Sequence, residues 1–245
     1  MSNLSSTTST TAAAKHNAPP ESVLLVPYPK IVFLYPTFAM ALVAALVTAV
    51  THGPLDSTNT TAAAVGFWFL AVFTLNLVIL AFDFPRAASL TLVFAGTAIV
   101  LGLVLISTFY PGFFPAITSI LAGFRPVANG SFYWSIVAVL GILFIVVLIT
   151  VRFDYWEVRP NELLHHHGFL SNLERLSAPN LRMEKEIPDV FEYLLLQSGR
   201  LIIHTADDRR AIVLDNVPFI RRKEEAVTRM LGALQVQVRS DDSTT

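Results

Sequence analysis

The chain has 245 residues, of which 53% are hydrophobic and 14% charged. A soluble domain carries about a quarter charged residues, so this composition excludes a disordered chain and argues against an ordinary water-soluble enzyme. The net charge of −1 excludes a broadly basic nucleic-acid binder. The absence of cysteine excludes disulfides, thiolate metal sites, cysteine nucleophiles and cysteine-linked lipids.

The charge is unevenly spread. Of 17 Lys and Arg, four precede residue 152, and of 18 Asp and Glu, three do. The first 151 residues are therefore written for an apolar solvent and the last 94 for water. Residues 1–22 are mostly Ser, Thr, Ala, Asn and Pro, too poor in large apolar groups to bury a core. A disordered tail is expected over 1–30, and the first apolar run is too long for the core of a signal peptide.

Four apolar runs follow, at Ile31–Val50, Val65–Phe82, Ser89–Phe109 and Phe132–Val151, with no Lys, Arg, Asp, Glu or His inside any of them. Each is close to the ~20 residues that carry a helix across about 30 Å of hydrocarbon. A four-helix transmembrane domain is expected over 31–151, because only helices or closed barrels satisfy the backbone in lipid. Lys15 and Lys30 precede the first run, Arg86 lies in the second loop and Arg152 follows the last run. The first loop has no Lys or Arg, and the third has only Arg125. The positive-inside rule then puts both termini in the cytoplasm of an inner or plasma membrane.

Within the spans, Ala41, Ala45 and Ala49 form a small-residue stripe suited to close helix approach. Asn76 reads as a partner for a neighbouring helix, and Gly96, Gly102 and Gly141 read as packing sites. Pro36 either kinks the first helix or marks its true start. The third loop, Tyr110–Phe124, is aromatic and broken by Pro and Gly, and is expected at the membrane interface. Asn59-Thr-Thr and Asn129-Gly-Ser match the glycosylation sequon. With no Lys, Arg, Asp, Glu or His inside these runs, ion coupling and intramembrane proteolysis lose their usual chemistry.

From Arg152 the pattern becomes short strands with turns. Phe153–Arg159 and Glu162–His167 form a hairpin about Pro160-Asn161. Leu173–Ala178 and Leu181–Ile187 follow, then a helical turn or loop over Pro188–Gln197. Arg200–Ala206 and Ala211–Val217 pair around Asp207-Asp-Arg-Arg210. Pro218 is expected to open a closing helix, whose apolar face is Ile220, Val227, Leu231 and Leu234. A small β-barrel or sandwich plugged by that helix is expected over 152–235, with a disordered tail at 236–245.

His165-His166-His167 is the feature nearest to a metal motif. On a strand, His165 and His167 share one face and His166 points away, so the run supplies at most two ligands, with His204 a possible third across the sheet. It reads as a half-exposed strand, and no metal or other cofactor is assigned. Glu184/Glu186 imply no pocket and get no acid–base role. No phosphate-binding glycine loop or G-x-S-x-G elbow is present.

The order Tyr155-Trp-Glu-Val, Leu163-Leu-His-His-His-Gly-Phe-Leu170, Leu181–Ile187, Leu194-Leu-Leu-Gln-Ser-Gly-Arg-Leu-Ile-Ile-His-Thr205 and Ile212-Val-Leu-Asp-Asn-Val-Pro218, with a closing helix, resembles the membrane-flanked bacterial pleckstrin-homology (PH) domain. The resemblance covers roughly residues 152–235. It implies a PH-like binding or scaffolding module and no catalytic residues. The basic residues of this sequence that could meet a lipid or protein partner are Arg209, Arg210, Arg221, Arg222 and Lys223. They are diluted by Asp207, Asp208, Glu224 and Glu225, so a solvated charged face competes with a binding face.

The expected function is therefore a polytopic membrane protein that presents a cytoplasmic PH-like domain for protein assembly, self-association or lipid contact. It is not expected to be an enzyme or to bind nucleic acid. The alternative is an accessory subunit or small transporter that acts through its four helices.

Overall fold

The structure is a computed structural model, and it describes residues 22–51, 60–115, 119, 123–168, 172–177, 181–204 and 211–242. In chain order the elements are β1 (Val23–Leu25), a 3-10 turn (Lys30–Leu34), α1 (Tyr35–Val50), α2 (Thr60–Ala81), α3 (Arg86–Phe109) and α4 (Gly130–Phe153). Then come β2 (Tyr155–Val158), β3 (Glu162–His167), β4 (Asn172–Ser177), β5 (Arg182–Glu186), α5 (Val190–Leu196), β6 (Gly199–His204), β7 (Ile212–Val217) and α6 (Ile220–Asp242). The chain divides into two compact units.

The membrane unit comprises residues 28–150 and 187–199. The 3-10 turn with α1, and each of α2, α3 and α4, is long and apolar enough to cross a membrane. Three of these helices begin at a proline or a side-chain cap. Pro36 sits in the first turn of α1, so it marks the start of that helix. Pro85 precedes α3, and Asn129 Oδ1 accepts from Phe132 N at 2.8 Å to cap α4. Asn59, of the other sequon, lies outside the described residues.

α3 buries only Ser89 and exposes Leu92, Val93, Phe94, Ile99 and Leu105 around its circumference. An apolar surface of that extent needs hydrocarbon around it, so the protein is membrane-embedded. Its hydroxyls do not break this rule. Thr91 and Thr97 bond back to the carbonyls of Ala87 and Val93 in their own helix.

Packing within the unit is carried by small and aromatic residues together. Ala41, Ala44, Ala45, Phe69 and Tyr133 form a buried cluster in it. Ala49 is exposed, so the stripe expected through Ala41, Ala45 and Ala49 turns at Ala44 and Ala45 instead. Asn76 Nδ2 donates to Thr37 Oγ1 at 2.8 Å, with both residues buried, as expected of a polar pair between spans. A Cβ at Gly96 or Gly102 would meet nothing within 4 Å, whereas at Gly66 it would lie 2.0 Å from the Pro126 carbonyl oxygen. The tight glycine is thus Gly66, not Gly96 or Gly102. At Gly141 a Cβ would make an ordinary 3.7 Å contact with Phe38. The described parts of the third loop expose Tyr110, Phe114 and Phe124; 116–118 and 120–122 lie outside the described residues.

The polar unit comprises residues up to 27, 151–186 and 200 onward. It holds two antiparallel sheets, ordered β1-β2-β3-β4 and β5-β6-β7, followed by α6. These sheets do not close into a barrel among the described residues. β1 corrects the expected tail over 1–30: Val23 and Leu25 are buried, and they register with Val158 and Trp156 of β2. The alternation of Val23-Leu24-Leu25 is that of a strand with one face covered, which the polar composition of residues 1–22 conceals.

Two further corrections concern the ends of helices. Pro218 and Phe219 form a turn and α6 starts at Ile220, so Pro218 lies before the helix. The helix continues to Asp242, through most of the expected tail at 236–245. Among its described side chains the buried ones are Ile220, Val227 and Met230. Leu231 is half-buried, and the side chain of Leu234 lies outside the described residues.

Candidate functional site

The expected basic cluster is reached from the start of α6. Arg221 and Arg222 are exposed there and Lys223 is half-buried; Arg209 and Arg210 lie outside the described residues. Lys223 Nζ donates to the Leu24 carbonyl of β1 at 2.8 Å, and burial pushes its ammonium below the usual lysine range. It is therefore a tie between α6 and β1 more than a free charge. The Arg222 guanidinium stands 5.8 Å from the centroid of the Phe219 ring, within cation–π range. Phe219 itself has φ of +52° and is 49% exposed.

A shallow groove results, lined by Ser22, Val23, Leu24, Phe219, Arg222, Lys223 and Ala226. Two exposed apolar side chains, Leu24 and Phe219, lie in it beside a cation. Sequence reasoning found Arg222 and Lys223 but missed Leu24 and Phe219. Their signal was an apolar pair on either side of unpatterned chain, and only the β1–α6 contact joins them.

Three other cations in this unit are paired. Lys185 bonds Glu224, Arg200 reaches Asp215 at 2.5 Å and Arg159 reaches Glu157 at 3.0 Å. The hydrogen bond from Arg159 is the main reason that the Glu157 carboxyl lies below its ordinary range. Close pairing of opposite charges leaves little single-sign field to attract an anionic surface.

A second polar site lies in the membrane unit and has no counterpart in the sequence reading. α5 sits between β5 and β6 in the chain, yet Ile187–Gly199 belongs to the membrane unit. Asp189, 1% exposed, holds it there. Its Oδ1 accepts from Phe191 N and Glu192 N at 2.7 and 3.0 Å, capping α5. Its Oδ2 accepts from Phe84 N at 2.6 Å, and Val190 N donates back to Phe84 O at 3.1 Å. The rings of Phe84 and Phe191 meet edge-on, 5.0 Å apart.

Lys30 completes this latch. Its Nζ lies 2.8 Å from Asp83 and 3.4 Å from the buried Glu192. Burial pushes the Glu192 carboxyl above its usual range, and Lys30 offsets part of that shift. A carboxyl raised in the folded state favours folding at low pH. That contribution is fully present below the unfolded value near 4.5 and is lost as pH rises through the raised value. Glu192→Gln is accordingly expected to flatten the pH dependence of unfolding just above pH 4.5, as read by thermal melts in detergent. A variant with the wild-type slope would show that Glu192 does not titrate in the latch.

The chain matches no protein-family model, no curated protein and no solved structure.

Proposed function

We propose that the chain is a polytopic membrane protein, both termini cytoplasmic, whose PH-like unit assembles with a protein partner and carries out no catalysis. Seven short strands in two antiparallel sheets among the described residues, followed by an amphipathic helix, support the PH-like reading. The observation that carries the assembly role is the groove in which Leu24 and Phe219 stand exposed beside Arg222. Apolar anchors with an adjacent arginine are the usual chemistry of a protein interface. The paired charges elsewhere in the unit weigh against a lipid headgroup surface. The transporter reading is weaker because Asn76 is already bonded to Thr37 inside the bundle.

The test is affinity capture from native membranes with the full chain and with Phe219→Glu. Loss of the captured partner in the variant, at unchanged expression, is the expected result. Equal capture by both chains would exclude the groove. Truncation at residue 152 is the wrong comparison, because it also removes Ile187–Gly199 from the membrane unit.

A further inference from the structure

We propose that His165, His167 and Glu174 form a binding site for a divalent transition-metal ion, with Zn2+ as its natural probe. The argument starts from strand register. His165 of β3 stands directly opposite Glu174 of β4, which brings their side chains together on one face. His167 is two residues on and shares that face, while His166 points away, toward Glu157 at 3.5 Å. One potential ligand atom from each of His165, His167 and Glu174 lies within 4.8 Å of the others. A first-row ion holds such ligands at about 2.0–2.2 Å, so they must draw in by roughly 1 Å. Glu174, with its side chain 56% exposed, has the freedom to do so.

Three further features belong to a metal site more than to a solvated strand. His165 Nε2 lies 3.1 Å from Asp154 Oδ1, while its Nδ1 faces Glu174 at 3.8 Å. A carboxylate on the far nitrogen is how a ligating imidazole is oriented and its tautomer fixed. The His165 ring is clamped against Trp156, stacked at 3.9 Å between centroids. His167 Nδ1 is shut off from solvent with no hydrogen-bond partner among the described residues. Two imidazoles and a carboxylate suit Zn2+ and its neighbours better than Ca2+ or Mg2+, which take oxygen ligands. His204, the third ligand considered from sequence, lies on β6 in the other sheet, 4.0 Å from Glu184, and takes no part.

Calorimetric titration of Zn2+ into the tag-free full chain in detergent is expected to give one ion per chain. His167→Ala and Glu174→Gln should each weaken it at least tenfold, as should His165→Ala. His166→Ala, on the opposite face, should leave affinity within about twofold. That contrast separates a built site from the general stickiness of three consecutive histidines. Saturable binding that is absent, that ignores Glu174→Gln, or that falls as much with His166→Ala as with His167→Ala would overturn the site. If the alanine variants misfold, Cu2+ quenching of tryptophan emission serves instead. One equivalent should quench a component that is missing in Trp156→Phe, and identical quenching in both chains would refute the proposal.

Discussion

Replacing Asp189 with alanine is expected to lower the stability of the membrane unit by about 3–4 kcal/mol, the largest effect of any polar substitution in the chain. The carboxylate accepts three backbone N–H groups, two at the start of α5 and one from Phe84. Alanine removes the helix cap and leaves those donors without a charged acceptor in a site closed to water. Asparagine separates the two roles. Its single carbonyl oxygen can serve the α5 side or the Phe84 side, but not both, so Asp189→Asn should cost about half as much. Denaturant unfolding in micelles gives the energies, and limited proteolysis between residues 187 and 199 reports release of the segment. An Asp189→Ala protein that unfolds like the wild type, with that segment still protected, would remove the latch from the account.

Gly66→Ala is the second large effect expected, about 3 kcal/mol from overpacking. The added Cβ would stand 2.0 Å from the oxygen and 2.9 Å from the carbon of the Pro126 carbonyl, and 3.5 Å from the Tyr133 hydroxyl. Backbone cannot step aside as a flexible side chain would, so α2 and the 124–129 segment must part. Gly96→Ala and Gly102→Ala are the matched comparisons, because open space surrounds both positions. Alanine's better helix propensity should make those two neutral or slightly stabilising. Unfolding of the three variants in parallel decides the matter: a Gly66→Ala chain as stable as the other two would mean that the α2–Pro126 approach is not tight.

Those three glycines show where sequence reading stops. All three stand in apolar helical runs and look alike there, since the local pattern carries no information about what crosses the helix. Asn76 was legible as a polar residue in lipid that needs a partner, although Thr37 as that partner was not. Asp189 and Glu192 fell within Pro188–Gln197, which the sequence showed only as a helical turn or loop. The bonds that hold this segment to the rest of the membrane unit join residues as far apart as 160 positions, as the Tyr35 hydroxyl donating to the Leu195 carbonyl does. Val23–Leu25 failed for a different reason: three strand residues at the end of a long polar tail are too few to show a period. Lys223 was found as a charge, but its bond to Leu24 makes it a structural tie.

What the sequence determined by itself is the division into two solvents and the order of the elements after residue 30. Uninterrupted apolar runs of about 20 residues, and alternation over five or six, are properties of neighbours, and the hydrophobic effect acts on them wherever the chain lies. Tertiary structure alone decided which polar groups are buried, that Ile187–Gly199 packs with the membrane helices, and that Glu174 comes opposite His165. Those outcomes depend on register and on hydrogen bonds across the fold, which no local period encodes.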